Sequence, residues 1–409
     1  MEMKYTAREI KNITENYNFV IDELNTFFGT DVAKNVTTML AAFNRKKSAY
    51  ESRNTSFQTK GNIDPSRICH YKTSDDIFRR TAIVGKGKNH GVFFLVDWSA
   101  SMRPVSREVI RQLAINAIFC KRANIPFTAA YFTTSSSWNY GSEASENKNK
   151  DYEIANGNLK LKTFFDSNDS IERIKEVVRD VALSTSNWAI MQTNHPEVQK
   201  LQSEYEMGST PLSLSLAEVF PYIIDWKRNQ NISEMSLYAI TDGEDTEDLS
   251  TMNGDAVKSI VNPFTNKRYD ITSQNPRLEK TRVVLSMYRE MNIKTYNICL
   301  VSNSSVGVLR RSTEKNEANL LTEISEDISK HGFSTQTNFM GFDNCLIGDI
   351  SKIFGTPRSQ DEIDADLKNE KLTDTKKFDV IKDSIERRKT LNTVCSIVVD
   401  CVTAQYKQK

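Results

Sequence analysis

The chain has no long hydrophobic run and almost no net charge. None of its apolar stretches approaches the roughly 18 uninterrupted residues that mark a membrane-spanning helix. Lysine and arginine together number 54, aspartate and glutamate 53, and the net charge is +1. A balance so even gives no overall field that would attract a nucleic acid or an anionic membrane. We therefore expect a soluble protein that binds neither and that recognises its partners locally.

Cysteine and histidine are both scarce and scattered. The six cysteines contain no CxxC pair and lie near no histidine cluster: Cys69, Cys120, Cys299, Cys345, Cys395 and Cys401. They offer neither a zinc site nor a disulfide framework, so we expect buried, reduced thiols. The four histidines are isolated, and no Ser–His–Asp or Cys–His set can be assembled from their positions. We predict that the chain is not an enzyme.

The first 20 residues lack the basic and then apolar layout of a signal peptide. This predicts a cytoplasmic location. Asparagine, lysine and serine are plentiful, as in the AT-rich genomes of phages. If the chain is phage-encoded, the expected location is the host cytoplasm.

Strands and helices alternate along the middle of the chain. Residues 1–90 read as a helical and extended N-terminal region, 91–355 as the main domain, and 356–409 as a charged linker and a C-terminal helix. Period-two and apolar runs predict strands at 92–96, 125–134, 160–165, 235–240, 293–301 and about 337–342, with helices between them. We therefore expect an α/β, Rossmann-like doubly wound and mostly parallel sheet of six strands.

Three polar segments lie next to the ends of predicted strands and helices. Asp97, Ser99 and Ser101 come directly after the first strand, Thr210 precedes a strongly amphipathic helix, and Asp242 follows the fourth strand. Ligands of an open parallel sheet bind beyond the carboxyl ends of the strands, where the strand order reverses. Period-two geometry places the first three side chains on one side of an extended loop. We expect all five to meet at one edge of the sheet.

Carboxylate and hydroxyl oxygens are the donors that Mg²⁺ or Mn²⁺ prefers, whereas Zn²⁺ draws on cysteine and histidine. With two carboxylates and three hydroxyls, the ion would stay electrophilic. Its open position would favour an anionic oxygen from outside the chain.

DWSAS, GSTPL and TDGE together resemble the metal-ion-dependent adhesion site of von Willebrand factor A (VWA) domains, whose pattern is DxSxS, then Thr, then Asp. The five family positions match at Asp97, Ser99, Ser101, Thr210 and Asp242. The resemblance implies a VWA fold, direct or water-mediated contacts from these side chains to the metal, and a carboxylate of a protein partner as the sixth ligand.

More narrowly, GNIDPSRICHYKTSDDIF, VDWSASM, YFTT, GSTPL and ITDGE resemble the CobT-like VWA subunit of cobaltochelatase and related VWA proteins that work with AAA+ ATPases. Trp98 and Ala100 stand where that family carries a small polar residue and a glycine. A large ring at Trp98 is either a packing residue or part of a partner-docking surface, and we favour docking.

We therefore expect a non-catalytic, metal-dependent interaction module that serves as adaptor or co-factor of an AAA+ ATPase. One alternative is a subunit of a cobaltochelatase-like metal-insertion complex. A second is a Mg²⁺-dependent phosphatase of the haloacid-dehalogenase type. The phosphatase is disfavoured because its chemistry needs a second carboxylate two residues after the first, and Ser99 occupies that position.

Overall fold

The computed structural model describes residues 20–53, 56–58, 81–83, 89–134, 159–185, 201–202, 204–242, 245, 258–272, 275–301, 318–331 and 333–349. The predicted linker and C-terminal helix at 356–409 lie outside these residues. In the described part no helix is both long enough and apolar enough to span a bilayer.

Eleven strands occur in the described part of the chain, seven of them in one central sheet. The strands are β1 Ser56–Gln58, β2 Thr81–Ile83, β3 His90–Asp97, β4 Phe127–Thr134, β5 Leu159–Asp166, β6 Glu234–Thr241, β7 Ser259–Val261, β8 Arg268–Asp270, β9 Ile293–Val301, β10 Phe333–Thr337 and β11 Asn344–Asp349. The central order is β10-β11-β9-β6-β3-β4-β5, and β1-β2 and β7-β8 form two small antiparallel pairs.

The five inner strands are parallel, and the two edge strands are antiparallel. When the seven strands are numbered 1–7 in chain order from β3, the order from β5 to β10 is 3-2-1-4-5-7-6, which is the doubly wound order with its last two strands exchanged by the hairpin. The order reverses between β3 and β6, so the two strands at the switch point are those that end in Asp97 and Thr241. The predicted α/β, mostly parallel sheet is confirmed.

The expected strand count of six is wrong, because the end of the sheet is a hairpin of two strands. The apolar residues at 339–342, predicted to end a strand, form a buried turn between β10 and β11 in which Met340 and Gly341 have positive φ. Strand β10, with the sequence FSTQT, is a half-exposed edge strand. It has too few apolar residues to be predicted as a strand from the sequence.

Helices cover both faces of the sheet. After a helical segment at 20–26 and a π-helical turn Phe27–Asp31, they are α1 Val32–Arg53, α2 Ser106–Arg122, α3 Ile171–Ser184, α4 Leu212–Asn229, α5 Pro276–Glu290 and α6 Ala318–His331. The N-terminal helix with α2 and α3 packs on one face, and α4, α5 and α6 pack on the other.

Strand β3 is apolar throughout because it is buried on both faces, as inner parallel strands are. Val92, Phe94 and Val96 join the core of the first face, whereas Phe93 and Leu95 join the core of the second. All residues of β3 are buried, and Asp97 is the first polar side chain after His90. Because side chains alternate between the two faces of a strand, Asp97 lies on the same face as Leu95.

The helical part of the predicted N-terminal region packs on the sheet domain through α2. Phe43 meets Phe119 edge to face, with ring centroids 5.9 Å apart. Arg111 forms ion pairs with Glu23 at 2.6 Å and Glu108 at 2.8 Å, and its guanidinium lies over the ring of Phe27. Residues 20–53 therefore share a core with the strands.

Candidate metal site

The first loop of the site begins where β3 ends. Asp97 is fully buried; its Oδ1 accepts a hydrogen bond from the backbone N–H of Ser99 at 3.0 Å, and its Oδ2 accepts one from Thr241 Oγ1 at 3.1 Å. The hydroxyl oxygens of Ser99 and Ser101 are 2.9 Å apart. Ser99 is extended, but Ala100–Met102 is a 3-10 turn. The turn, and not period-two alternation alone, brings the two hydroxyls together.

The second loop approaches the first through Gly208. Ser99 and Gly208 form an isolated parallel bridge, and the carbonyl of Gly208 accepts a hydrogen bond from Ala100 N–H at 2.8 Å. The N–H of Gly208 donates to Thr133 Oγ1 at 2.8 Å. A β-carbon at residue 208 would collide with the carbonyl oxygen of Thr134, so glycine is required for this close approach. Thr210 follows two residues later and is buried.

The third loop is joined to both of the others. Thr241, the last residue of β6, donates to Asp97, and Asp242 follows it with a half-buried side chain. Asp245 accepts hydrogen bonds from the N–H groups of Leu212 and Ser213, both at 3.2 Å, at the start of helix α4. A carboxylate at a helix N-terminus satisfies otherwise unpaired N–H groups and opposes the helix dipole. Asp245 therefore fixes the third loop against the helix that follows Thr210.

The electrostatics of this edge are unfavourable without a cation. Burial raises the pKa of Asp97 well above its ordinary value, and the nearby carboxylate of Asp242 raises it further, against the lowering effect of the hydrogen bonds from Ser99 and Thr241. Within the described part of the chain no lysine, arginine or histidine forms an ion pair with Asp97. Buried carboxylates are ordinarily paired, protonated or bound to a metal.

The donor set fits a small hard cation. Among described residues no three His, Cys, Asp or Glu side chains cluster as a metal site would require, so any ion here depends on hydroxyls. Asp97, Ser99 and Ser101 are joined by direct hydrogen bonds. Asp242 lies near enough to perturb Asp97, and Thr210 lies two residues after Gly208, which pairs with Ser99. Oxygen-only donors suit Mg²⁺ or Mn²⁺.

The five candidate donors differ in how far they are buried. Asp97, Ser99 and Thr210 are buried, Asp242 is half-buried and Ser101 is exposed. An ion held by these side chains would have protein oxygens beneath it and solvent on the side of Ser101. A ligand from another molecule could reach it from that side.

Trp98 is a packing residue, and the expectation that it docks a partner is wrong. Its ring is fully buried beside Phe164 and Tyr131, with centroids 5.2 and 6.0 Å away. Its Nε1 donates to the backbone carbonyl of Tyr205 at 3.0 Å. Because alternate residues of an extended loop point to opposite sides, a tryptophan between Asp97 and Ser99 lies on the opposite side and faces the core.

The sequence analysis assigned no role to four residues of the site: Thr133, Thr134, Thr241 and Asp245. Their hydroxyl and carboxylate oxygens bind the backbone and side chains of the three loops. The threonines at the carboxyl ends of β4 and β6 were available as a signal, because side chains at these strand ends face the switch point. Asp245 had no such signal, since only the packing of α4 reveals its partners.

The fold and the site define a doubly wound α/β protein with a buried oxygen cluster at the switch point of its sheet. No family model matches the chain, and no curated protein matches it. The pilus adhesin SpaC from Lactobacillus rhamnosus GG, in its open conformation, aligns over 60% of this chain and 30% of its own length, with 10% identity and a TM-score of 0.30.

Two further solved structures align at similar levels. Proximal thread matrix protein 1 from the mussel byssus aligns over 61% of this chain and 49% of its own, with 12% identity and a TM-score of 0.27. The human COPII-coat protein Sec24c aligns over 62% of this chain and 34% of its own length, with 9% identity and a TM-score of 0.27. This chain thus spans half or less of each of these chains, and likeness at this level identifies no family.

Proposed function

We propose that this chain is a VWA-like module that holds Mg²⁺ or Mn²⁺ and binds an acidic residue of a protein partner through that ion. The supporting observation is the state of Asp97, a fully buried carboxylate next to a second carboxylate and within reach of two paired serine hydroxyls. A divalent cation would relieve the repulsion between Asp97 and Asp242. The serine hydroxyls and Thr210 would complete the protein side of its coordination.

The small number of carboxylates determines what such an ion does. Two negative side chains do not exceed the charge of a divalent cation, so the ion retains affinity for a further anionic oxygen. Because Ser101 is exposed, that oxygen would come from another molecule. We infer a carboxylate of a protein partner, and from the resemblance of the motifs we propose a cytoplasmic AAA+ ATPase as that partner.

The proposed role is non-catalytic. The position where a haloacid-dehalogenase-type phosphatase carries its acid-base carboxylate is Ser99, whose hydroxyl is hydrogen bonded to that of Ser101. The alternative of a chelatase subunit rests on the sequence resemblance alone, and no feature of the described residues favours a tetrapyrrole.

Mn²⁺ titration of the purified chain tests the proposal. The wild type is expected to bind one equivalent, and Asp97→Ala is expected to bind none. Ser101→Ala removes one hydroxyl at an exposed position and should weaken binding by at least about tenfold, the loss known for groups that only support a metal ligand. Asp225→Ala is the control, because Asp225 is an exposed carboxylate on α4.

Two results would contradict the proposal. One is Mn²⁺ binding that survives both Asp97→Ala and Ser101→Ala. The other is Mg²⁺-dependent hydrolysis of p-nitrophenyl phosphate by the wild type that is lost in Asp97→Ala, which would favour the phosphatase.

A further inference from the structure

A cavity of about 360 Å³ opens beside the candidate metal loop. It lies between the turn that follows Ser101, the C-terminal end of helix α3 and the segment that precedes Gly208. Arg103 and Met207 form two of its walls. Arg103 is two residues from Ser101, and Met207 is adjacent to the glycine that pairs with Ser99. The cavity and the candidate metal site are therefore neighbours on one surface.

The floor of the cavity is held by the same contacts that hold the metal loop. Tyr205 is buried, its ring stacks on Phe164 with centroids 6.2 Å apart, and its carbonyl accepts the hydrogen bond from Trp98. Tyr131 donates its hydroxyl to the carbonyl of Glu204 at 2.8 Å. A partner would meet a preformed surface and would lose little free energy in ordering it.

Arg103 is the available cation of this surface. Its side chain is exposed, and it forms no ion pair with any described residue. Its backbone is fixed, because its N–H donates to Ala100 and its carbonyl accepts the Ser106 hydroxyl at 2.9 Å. The next two arginines along the chain, Arg107 and Arg111, are already paired with Glu23.

The interior of the cavity disfavours an anion. Glu206 lines it, and so do Ser184 and Thr185, where helix α3 ends with its carbonyl groups and the negative end of its dipole. A carboxylate would be repelled by Glu206 and by the end of helix α3, and attracted to the exposed guanidinium of Arg103. The guanidinium fork matches the two oxygens of a carboxylate.

We propose that the partner presents two acidic residues to this surface, one to the metal and one to Arg103, with the chain between them lying across the mouth of the cavity. This inference rests on the proposed function and specifies the partner as a segment with paired Asp or Glu residues. Arg103 then selects among acidic segments that a metal ion alone would not distinguish.

The test uses fluorescein-labelled glycine-rich peptides with either one aspartate or two aspartates separated by zero to three glycines. Their binding to the full chain in Mn²⁺ is followed by fluorescence anisotropy. The wild type is expected to bind a two-aspartate peptide of one spacing about fivefold more tightly than the one-aspartate peptide, as an exposed ion pair allows. Arg103→Ala should remove that preference, while the one-aspartate peptide should still bind in Mn²⁺ and not in EDTA.

Arg122→Ala is the matched control. Arg122 is exposed and ends the 17-residue helix α2, about 26 Å from its beginning at 1.5 Å per residue. The variant loses the same charge, and it should keep the preference because that distance exceeds the Debye length of about 8 Å at physiological salt.

The outcomes separate this inference from the proposed function. If the wild type binds both kinds of peptide equally in Mn²⁺, or if Arg103→Ala keeps the preference, the role of Arg103 is refuted and metal-dependent binding stands. If peptide binding is the same in EDTA, or if the wild type does not bind Mn²⁺, the proposed function itself is refuted.

Discussion

Asp97 is the residue at which stability and the proposed function oppose each other. Its burial and its proximity to Asp242 favour the protonated form in the absence of a cation. A metal ion must displace that proton, because carboxylate ligands bind in their ionised form. Affinity for Mn²⁺ should therefore rise with pH. Ionisation of Asp97 should also lower the free energy of unfolding of the metal-free protein, and a bound metal ion should remove this cost.

Asp97→Asn isolates this cost. Because the pKa of Asp97 in the folded state is raised above the unfolded value of about 3.9, ionisation destabilises the fold as the pH rises from about 4 through the raised pKa. The asparagine variant lacks the charge; its Oδ1 can accept the Ser99 N–H, and its Nδ2 can donate to Thr241 Oγ1, which reverses the direction of the wild-type bond. Without metal it should unfold at a higher temperature than the wild type at pH 8, with a smaller difference at pH 5.

Thermal unfolding at the two pH values in EDTA measures the effect, with Asp225→Asn as the exposed control. Added Mn²⁺ should raise the unfolding temperature of the wild type and of Asp225→Asn, and should leave that of Asp97→Asn unchanged. A metal-free Asp97→Asn variant that is less stable than the wild type at pH 8 would show that the carboxylate is stabilised by the protein itself.

The candidate donors were proposed from residue types, but the residues that hold their loops in place could not be. Asp97, Ser99 and Ser101 follow an apolar strand, and that pattern is visible in the sequence. The orientation of Trp98 required knowledge of which side of the loop faces the core. The bond from Asp245 to α4 joins residues more than thirty positions apart, and no local pattern specifies it.

At the scale of elements, the three loops are joined pairwise into a closed ring. The first and second loops meet through Ala100 and Gly208, the first and third through Asp97 and Thr241, and the second and third through Asp245 at the start of α4. Each loop is therefore held by the other two. Loss of one link should affect ligands that the altered residue does not touch.

Asp245→Ala tests this linkage. Loss of the capping interaction at α4 should lower the free energy of unfolding by about 1 kcal/mol, within the range for helix N-terminal caps. It should also weaken Mn²⁺ binding by displacing the loop of Thr210. Urea unfolding and Mn²⁺ titration measure the two effects, and Asp225→Ala on the outer face of the same helix is the control. Wild-type Mn²⁺ affinity in Asp245→Ala would show that the loops are independent.

Elements with a clear pattern were predicted closely, and elements without one were missed. The strand at 293–301 has the same bounds in the structure, and the strongly amphipathic helix after Thr210 is α4. The predicted last strand is wrong because an apolar run at 339–342 fills a buried turn. In so short a segment, a buried turn and a buried strand can have the same apolar composition, so the sequence does not distinguish them.

For the whole molecule, the structure places the N-terminal helix in the core of the sheet domain. Phe43, Val36 and Met39 belong to the same buried cluster as β3 and α2. The ion pairs between Glu23 and α2 add to this contact. Residues 20–53 and the sheet should unfold together.

Phe43→Ala tests that cooperativity. Replacement of a buried phenylalanine by alanine lowers the free energy of unfolding by about 3–5 kcal/mol. The whole loss should appear in the single urea transition of the sheet domain, and the slope of the free energy against urea concentration should not change. Tyr222→Ala, at an aromatic position that is half-exposed on α4, is the control and should cost far less. A separate early transition that leaves the main one unchanged would show that the N-terminal helix is an independent unit.

Anomalous scattering from crystals grown with Mn²⁺ tests the central claim most directly. We expect one strong peak at the switch point of the sheet, about 2 Å from the hydroxyl oxygens of Ser99 and Ser101, with Asp97, Thr210 and Asp242 around it, and no peak in Asp97→Asn crystals. Wild-type crystals with no peak there at saturating Mn²⁺, or with Thr210 and Asp242 turned away from the serines, would contradict the account.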